Sequence, residues 1–213
     1  MPVPPPILYS FRRCPYAMRA RMAVLSSGIE VELREILLKD KPNSMIQASP
    51  KATVPVLLLP DGSVIDESLD VMHWALREND PEKWANAEAT PLIDNNDGPF
   101  KAALDRYKYS NRYKDEEIVT HEQRAICAAT FEDYEERLSM HRYLLGDMPS
   151  IADNAIFPFV RQCANVDRSW FDGQPWPKLH AWLEEFLSSE RFEIAMRKHD
   201  PWQMGDVPLI FGR

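Results

Sequence analysis

The spacing of apolar positions changes in character about 80 residues into the chain. In the first part, short apolar runs alternate with helical patterns, in the order β-α-β-(α)-β-β-α. Strands are predicted over 7–9, 31–36, 54–59 and 64–65, and helices after Cys14, within 37–49 and after Glu67. A helix joins the first two strands, so we expect them to pair in parallel, followed by an antiparallel hairpin over 56–65. The first part is therefore predicted to be a mixed sheet covered by helices.

The second half contains no strand pattern from Phe100 onward, and its apolar residues recur at helical spacing. A long helical pattern runs from about residue 117 to residue 145. Ser150 and Asp153 match the S-x-x-[DE] capping box that precedes an apolar run. The stretch 179–187 has apolar residues at i, i+3, i+4, i+7 and i+8, which indicates an amphipathic helix. We predict an all-helical bundle.

These patterns predict two domains, a number that a chain of 213 residues can accommodate. Residues 1–80 form the sheet domain, 81–98 a linker and 99–213 the helical domain. The linker is placed where polar residues replace the apolar periodicity, and it ends in a cluster of helix-breaking residues at 94–99.

Composition excludes several classes of function. A formal net charge of −8 argues against a general binder of nucleic acids or anionic membranes, which would be basic. Three cysteines are too few for a disulfide framework and fit a reducing compartment. No apolar run approaches the roughly 20 residues of a membrane span, and the first residues lack the pattern of a signal peptide. The five histidines show no metal-ligand spacing. We expect a cytoplasmic protein without a metal site.

The most distinctive candidate for chemistry is Cys14, which falls between a predicted strand and a predicted helix. Pro15 suits the first helical turn, so the sulfur of Cys14 would face the unpaired N–H groups and the positive end of the helix. Arg12, Arg13 and Arg19 add positive charge nearby. Such surroundings lower a cysteine pKa from about 8.5 into the range of about 3.5–7.5 and favour the thiolate. The alternative is a small buried apolar residue that happens to precede a proline.

A Cys-Pro-Tyr-Ala helix start, a mixed β/α domain and a helical second domain together resemble the glutathione transferase superfamily. The resemblance covers nearly the whole chain and is strongest to cysteine-type members, such as the omega class and related bacterial proteins. It implies a fold of class α/β plus all-α, in which a thioredoxin-like N-terminal domain binds glutathione. The helical glutathione-transferase C-terminal domain then forms the second-substrate pocket, and a homodimer is expected.

The resemblance also assigns roles to single residues. Cys14 matches the catalytic cysteine that forms a mixed disulfide with glutathione. Lys41 matches a lysine that pairs with a glutathione carboxylate, and Val54, which precedes a cis-proline in the family, exchanges backbone hydrogen bonds with the cysteinyl part. Glu67 and Ser68 match the pair that holds the γ-glutamyl end. Glutathione has two carboxylates and one ammonium group, and these residue types complement them. The alternatives are a solvated lysine for Lys41 and an ordinary helix-terminal charge and cap for Glu67 and Ser68.

The resulting hypothesis is a glutathione-dependent thiol transferase or reductase that acts on small electrophilic or disulfide substrates, with glutathione as co-substrate. Cys14 works as a single thiol, because Ala17 stands where a C-x-x-C motif would have its second cysteine. One alternative is a conjugating glutathione transferase in which the hydroxyl of Tyr9 or Ser10 activates glutathione. The other is a binding or regulatory protein with the same fold and no catalysis. Cys127 and Cys163 fall in helical patterns and are predicted to be core residues.

Overall fold

The computed structural model describes residues 3–212, which form two compact units. The α/β unit comprises the chain up to Ala85 together with the segment from Ser189 onward, and the helical unit is Asn86–Ser188. This division differs from the predicted boundaries of 81–98 for a linker and 99–213 for one helical domain. At the C-terminal end the difference arises because the segment from Ser189 onward adds a strand to the sheet, and residues 86–98 of the predicted linker belong to the helical unit.

In the part of the chain that the structure describes, five strands form one sheet in the order β4-β3-β1-β2-β5. Their bounds are β1 (Ile7–Ser10), β2 (Val31–Glu35), β3 (Val56–Leu58), β4 (Val64–Ile65) and β5 (Ile210–Phe211). Strands β1 and β2 pair in parallel, while β3 runs antiparallel to both β1 and β4. The parallel pair and the hairpin confirm the sequence prediction. Strand β5, which pairs antiparallel with β2, corrects the expectation that no strand follows Phe100.

Among residues 3–85, the α/β unit has three α-helices. They are α1 (Pro15–Ser27), α2 (Asn43–Ala48) and α3 (Ser68–Glu78). Helix α1 begins with proline and is followed by Gly28, whose φ of 66° is left-handed and whose N–H bonds to the carbonyl of Leu25. Helices α1 and α3 pack against each other, and α1 buries Met18 and Met22 in the core.

The helical unit contains six α-helices among the described residues. They are α4 (Thr90–Asn95), α5 (Lys101–Lys108), α6 (Thr120–Met140), α7 (Ile151–Ala164), α8 (Arg168–Asp172) and α9 (Pro177–Leu187). The predicted breaker cluster at 94–99 does not end a helix, because a π-turn over Asn96–Phe100 connects α4 to α5. This wider turn tolerates Pro99, which has no N–H to donate. Within residues 3–212, no helix is both long enough and apolar enough to cross a bilayer.

The predicted capping box at the start of α7 is confirmed. The hydroxyl of Ser150 accepts from the N–H of Ala152, and Asp153 Oδ2 accepts from the N–H of Ser150 at 2.9 Å. Asp153 Oδ1 also accepts from the N–H of Leu144 and from the indole N–H of Trp182. Burial raises the pKa of Asp153 although these donors lower it. The carboxylate therefore joins three separate segments of the helical unit.

The C-terminal segment begins with helix α10 (Glu190–Ala195), which packs on α1, and continues to β5. The Arg21 guanidinium of α1 donates to the carbonyl of Ala195 at 2.9 Å and forms a buried ion pair with Glu35. The N–H of Trp202 donates to the carbonyl of Glu35 at 2.8 Å. Gly212 follows β5 with a φ of 121°, and a Cβ there would lie 1.8 Å from the carbonyl oxygen of Ile29. The segment is therefore fitted closely to β2 and α1.

Candidate active site

A cavity of about 360 Å³ opens in the α/β unit. Three residues with predicted roles, Val54, Glu67 and Ser68, line it. The remaining lining residues are Tyr16, Lys51, Thr53, Pro55 and Asp66. No cluster of three or more potential metal ligands occurs between residues 3 and 212, and the expected lack of a metal stays a prediction.

Cys14 is the N-cap residue of α1, as predicted, and it contacts the cavity residue Val54 without being among the lining residues itself. Its own N–H bonds to the carbonyl of Phe11, its carbonyl accepts from Met18, and its side chain does not cap the helix. The sulfur lies 3.9 Å from the carbonyl oxygen of Val54, a cavity residue. The side chain is half-buried against an apolar cluster that includes Tyr9 and so is not sealed from solvent. The positive end of α1 favours a negative charge on the sulfur.

The loop before β3 forms one wall of the cavity. The peptide bond between Val54 and Pro55 is cis. Ala52 has a φ of 52°, in the left-handed region that residues with a Cβ rarely occupy. The N–H of Ala52 bonds to the carbonyl of Ser49, whose hydroxyl donates to Asp66 Oδ2 at 2.6 Å. Asp66 therefore holds a strained loop in place next to the start of α3.

Glu67 and Ser68 stand at the N-terminus of α3, so backbone N–H groups face the cavity there. Glu67 is the N-cap residue by its backbone, and its side chain does not cap the helix. Ser68 is buried, and its hydroxyl accepts a hydrogen bond from Nε of Arg19 at 3.0 Å. A hydroxyl that accepts from a guanidinium must direct its own proton to another acceptor. Ser68 is thereby set to donate to an anion.

Two residues that contact the cavity lining were not assigned a place at this site from the sequence. Arg19 is only 2% exposed and its guanidinium lies 5.2 Å from the ring centre of Tyr16. The sequence showed Arg19 only as one of several positive charges near Cys14. Lys51 bonds to Asp66 Oδ1 at 3.0 Å and to Glu67 Oε1 at 2.7 Å. The only signal for Lys51 is its position shortly before the Val-Pro pair.

The carboxylate of Asp66 is stabilised in its charged form. The hydrogen bond from Ser49, followed by that from Lys51, lowers the pKa of Asp66 below 3.8. The bond to Glu67, followed by that to Asp66, raises the pKa of Lys51. At neutral pH the entrance of the cavity therefore holds one ammonium group between two carboxylates.

Lys41 is not brought to the cavity. It lies in the loop before α2, is partly exposed and is not among the residues that line the cavity. Its predicted contact with a carboxylate stays a prediction. The chain thus brings Val54, Glu67 and Ser68 together beside Cys14 and leaves Lys41 apart.

The alternative nucleophile activators, Tyr9 and Ser10, are buried in other networks. The hydroxyl of Tyr9 donates to Ser44 at 2.9 Å and accepts from Arg34 at 2.8 Å. The hydroxyl of Ser10 accepts from Nε of Arg21 at 2.7 Å, and neither residue lines the cavity.

The other two cysteines are buried in helices α6 and α7, which confirms their prediction as core residues. A hydrogen bond with Cys127, together with burial, raises the pKa of Cys163. The Cys163 thiol therefore favours its neutral form.

The chain is similar to proteins of known sequence and to proteins of known structure. It is 28% identical to glutathione S-transferase omega-1 of Mus musculus over 185 residues, covering 83% of this chain and 74% of the relative. It is also 28% identical to maleylacetoacetate isomerase of Mus musculus over 212 residues, covering 92% and 94%. A glutathione transferase family member from Pseudomonas fluorescens, solved with two glutathione molecules bound, has a similar fold. Its TM-score is 0.76 at 16% identity, covering 90% of this chain and 92% of that one.

Family-level similarity extends over both units. The glutathione S-transferase N-terminal domain family matches residues 8–84, and the glutathione S-transferase C-terminal domain family matches residues 98–185. The fold is accordingly a thioredoxin-like domain with an added helical domain, as the sequence resemblance implied. The chain belongs to the glutathione S-transferase superfamily.

Proposed function

We propose that the protein is a glutathione-dependent thiol transferase in which Cys14 is the nucleophile. The observation behind this proposal is the placement of Cys14 at the start of α1, with its sulfur 3.9 Å from the carbonyl of Val54. A half-buried thiol at a positive helix end, next to a cavity with charged residues in its lining, is suited to react as a thiolate. Similarity to omega-1 transferases adds support from a separate source.

The polar groups of the cavity complement glutathione. The carboxylate of Glu67 suits the ammonium group of the γ-glutamyl end, and Ser68 with the N–H groups of α3 suits its α-carboxylate. The backbone of Val54 suits the cysteinyl part, which places the glutathione sulfur toward Cys14. Lys41 remains the proposed partner of the glycyl carboxylate. Glutathione is bound in the Pseudomonas fluorescens relative.

The proposed reaction is thiol–disulfide exchange in two steps. The thiolate of Cys14 attacks the glutathione sulfur of a mixed disulfide, the S–S bond breaks, and the substrate leaves as a thiolate that takes up a proton. A second glutathione, as its thiolate, attacks the glutathione sulfur bound to Cys14. That step releases oxidised glutathione and restores the thiolate of Cys14. Ala17 leaves no neighbouring cysteine to do this internally.

Activation by Tyr9 or Ser10 is disfavoured because both hydroxyls are buried and already bonded to arginines. A second candidate is glutathione-dependent isomerisation, since the maleylacetoacetate isomerase relative matches 92% of this chain. Binding of the second substrate by the helical unit and formation of a homodimer stay predictions. Sedimentation velocity tests the dimer.

The test is glutathione-dependent reduction of a small mixed disulfide by the wild type and by Cys14→Ser. We expect activity to be lost in the variant, because a hydroxyl cannot form the mixed disulfide. Cys163→Ala, which also removes one thiol, is the matched control and should keep its activity. Intact mass after incubation with oxidised glutathione should show one glutathionyl group, mapped to Cys14. Full activity of Cys14→Ser would overturn the proposal, and retained isomerisation of maleylacetoacetate by this variant would favour the second candidate.

A further inference from the structure

The acidic pair at the cavity entrance is occupied by a cation of the chain itself. Lys51 donates to Asp66 at 3.0 Å and to Glu67 at 2.7 Å. A lysine ammonium has three N–H donors, so these two acceptors leave one donor for a further oxygen. The resemblance that assigned roles to Glu67 and Ser68 assigned none to Lys51.

The two bonds of Lys51 differ in how firmly they are held. The side chain of Asp66 is 26% exposed and is fixed on its other oxygen by Ser49. The side chain of Glu67 is 63% exposed and that of Lys51 is 51% exposed. Exposed ion pairs are weak, because water competes for both charges. An incoming ammonium group can therefore displace Lys51 from Glu67 at little cost, while Asp66 keeps Lys51 at the cavity.

This arrangement is matched to an α-amino acid group. Such a group has an ammonium and a carboxylate attached to the same carbon. Its ammonium would replace that of Lys51 at Glu67, and its carboxylate would then lie near Lys51 and the hydroxyl of Ser68. After this exchange Glu67 pairs with the ligand's ammonium and Lys51 pairs with the ligand's carboxylate, so none of these charges is left unpaired in the cavity.

We propose that Lys51 is a specificity-determining residue that recognises the α-carboxylate of the γ-glutamyl end after the ligand's ammonium group has displaced it from Glu67. The inference rests on the proposed glutathione site and adds to it a cation that reads one particular carboxylate. Without ligand, the ammonium of Lys51 compensates the negative charges of Asp66 and Glu67. With ligand bound, Lys51 instead binds the ligand's carboxylate.

The test combines a change in the protein with a change in the ligand. S-methylglutathione and its analogue without the γ-glutamyl α-carboxylate are titrated by calorimetry into the wild type and Lys51→Met. The S-methyl group prevents thiol exchange during the titration. Lys51→Arg keeps the charge, and Lys198→Met removes an exposed lysine of the same unit that does not line the cavity.

We expect removal of the α-carboxylate to weaken binding about fivefold more in the wild type than in Lys51→Met, as for a contact of about 1 kcal/mol. Lys51→Arg and Lys198→Met should behave like the wild type. An equal loss in the wild type and Lys51→Met, with both proteins binding S-methylglutathione, would overturn the role of Lys51 alone. Failure of the wild type to bind S-methylglutathione would overturn the glutathione site itself and the role of Lys51 with it.

Discussion

Replacement of Glu35 by glutamine tests how the C-terminal segment is joined to the sheet. Glu35 accepts from the guanidinium of Arg21 and, at 2.9 Å, from the backbone N–H of Arg12. A glutamine has one oxygen to accept with, and its amide nitrogen donates. In Glu35→Gln, either the buried guanidinium of Arg21 or the part-buried N–H of Arg12 must therefore lose its acceptor. Burial lowers the pKa of Arg21, and the charge of Glu35 opposes that effect.

The expected cost follows from which bonds of Arg21 remain. Its bonds to Ser10 at 2.7 Å and to the carbonyl of Ala195 at 2.9 Å are retained, but both acceptors are neutral. Removing one partner of a buried ion pair costs about 3–5 kcal/mol, because an uncompensated charge stays behind. For a chain of this size each kcal/mol lowers the melting temperature by about 2–4 °C. We expect a free-energy loss near the lower end of this range and a melting temperature lower by about 6–12 °C.

Urea unfolding and thermal melting measure this loss. Asp133→Asn, which removes one partner of an exposed ion pair on α6, is the control and should change stability by less than about 1 kcal/mol. The double variant Arg21→Met, Glu35→Leu removes both charges and should be more stable than Glu35→Gln. A Glu35→Gln protein as stable as the Asp133→Asn control, or a double variant less stable than Glu35→Gln, would refute the reasoning.

Three further predictions concern single contacts. Asp153→Ala should lower the free energy of unfolding by at least about 3 kcal/mol in urea, since it removes the acceptor of four buried donors. A loss near the roughly 1 kcal/mol of a simple cap would contradict this. Asp66 has a lowered pKa, so its stabilisation is present above pH 3.8 and is lost as pH falls through the lower folded-state value. The stability difference between wild type and Asp66→Asn should accordingly shrink on acidification below that pH, and a difference that grows would refute it. Gly212→Ala should detach β5, because the added Cβ would clash with the carbonyl of Ile29. Hydrogen exchange at the N–H of Leu33, which bonds to the carbonyl of Leu209, should then become faster. Unchanged protection of this N–H would contradict the close contact between Gly212 and Ile29.

The sheet and the first helices were predictable because their signals are local. A proline at the start of α1 and a glycine after it mark both ends of that helix. The hairpin from β3 to β4 follows from turn residues and two apolar runs. The capping box before α7 is likewise contained within four residues, Ser150 to Asp153. In each case the interacting groups are close in sequence.

The features that were missed depend on partners far away in the sequence. Strand β5 has two residues, too few for a period to show, and exists because β2 offers an unpaired edge. The long helical pattern predicted to reach residue 145 ends at Met140, and a short bridge between Tyr143 and Gly146 follows it. The helix-breaking residues at 94–99 were expected at the end of a linker over 81–98, but Asn96–Phe100 forms a π-turn that connects α4 to α5. Local propensity alone does not specify these outcomes.

The candidate site shows the same difference between features that depend on local sequence and features that depend on distant residues. The groups presented by the backbone, at the starts of α1 and α3 and at Val54, follow from local sequence. The pairing of charges does not, since Arg19 reaches Ser68 across 49 residues and Lys51 reaches Glu67 across 16. A local motif therefore predicts where a ligand's polar atoms can bind. The contacts between residues far apart in sequence determine which charged side chains compete with the ligand for that position. The proposed competition between Lys51 and the ligand's ammonium group also predicts an effect of salt. A higher salt concentration should weaken the Lys51–Glu67 ion pair and the ligand's ion pairs alike, because all of these charges are exposed. Because S-methylglutathione also gains the pair between its α-carboxylate and Lys51, this competition is seen with the analogue that lacks that carboxylate. The affinity for this analogue would depend less on salt in the wild type than in Lys51→Met, where the ligand's ammonium has no competitor to lose.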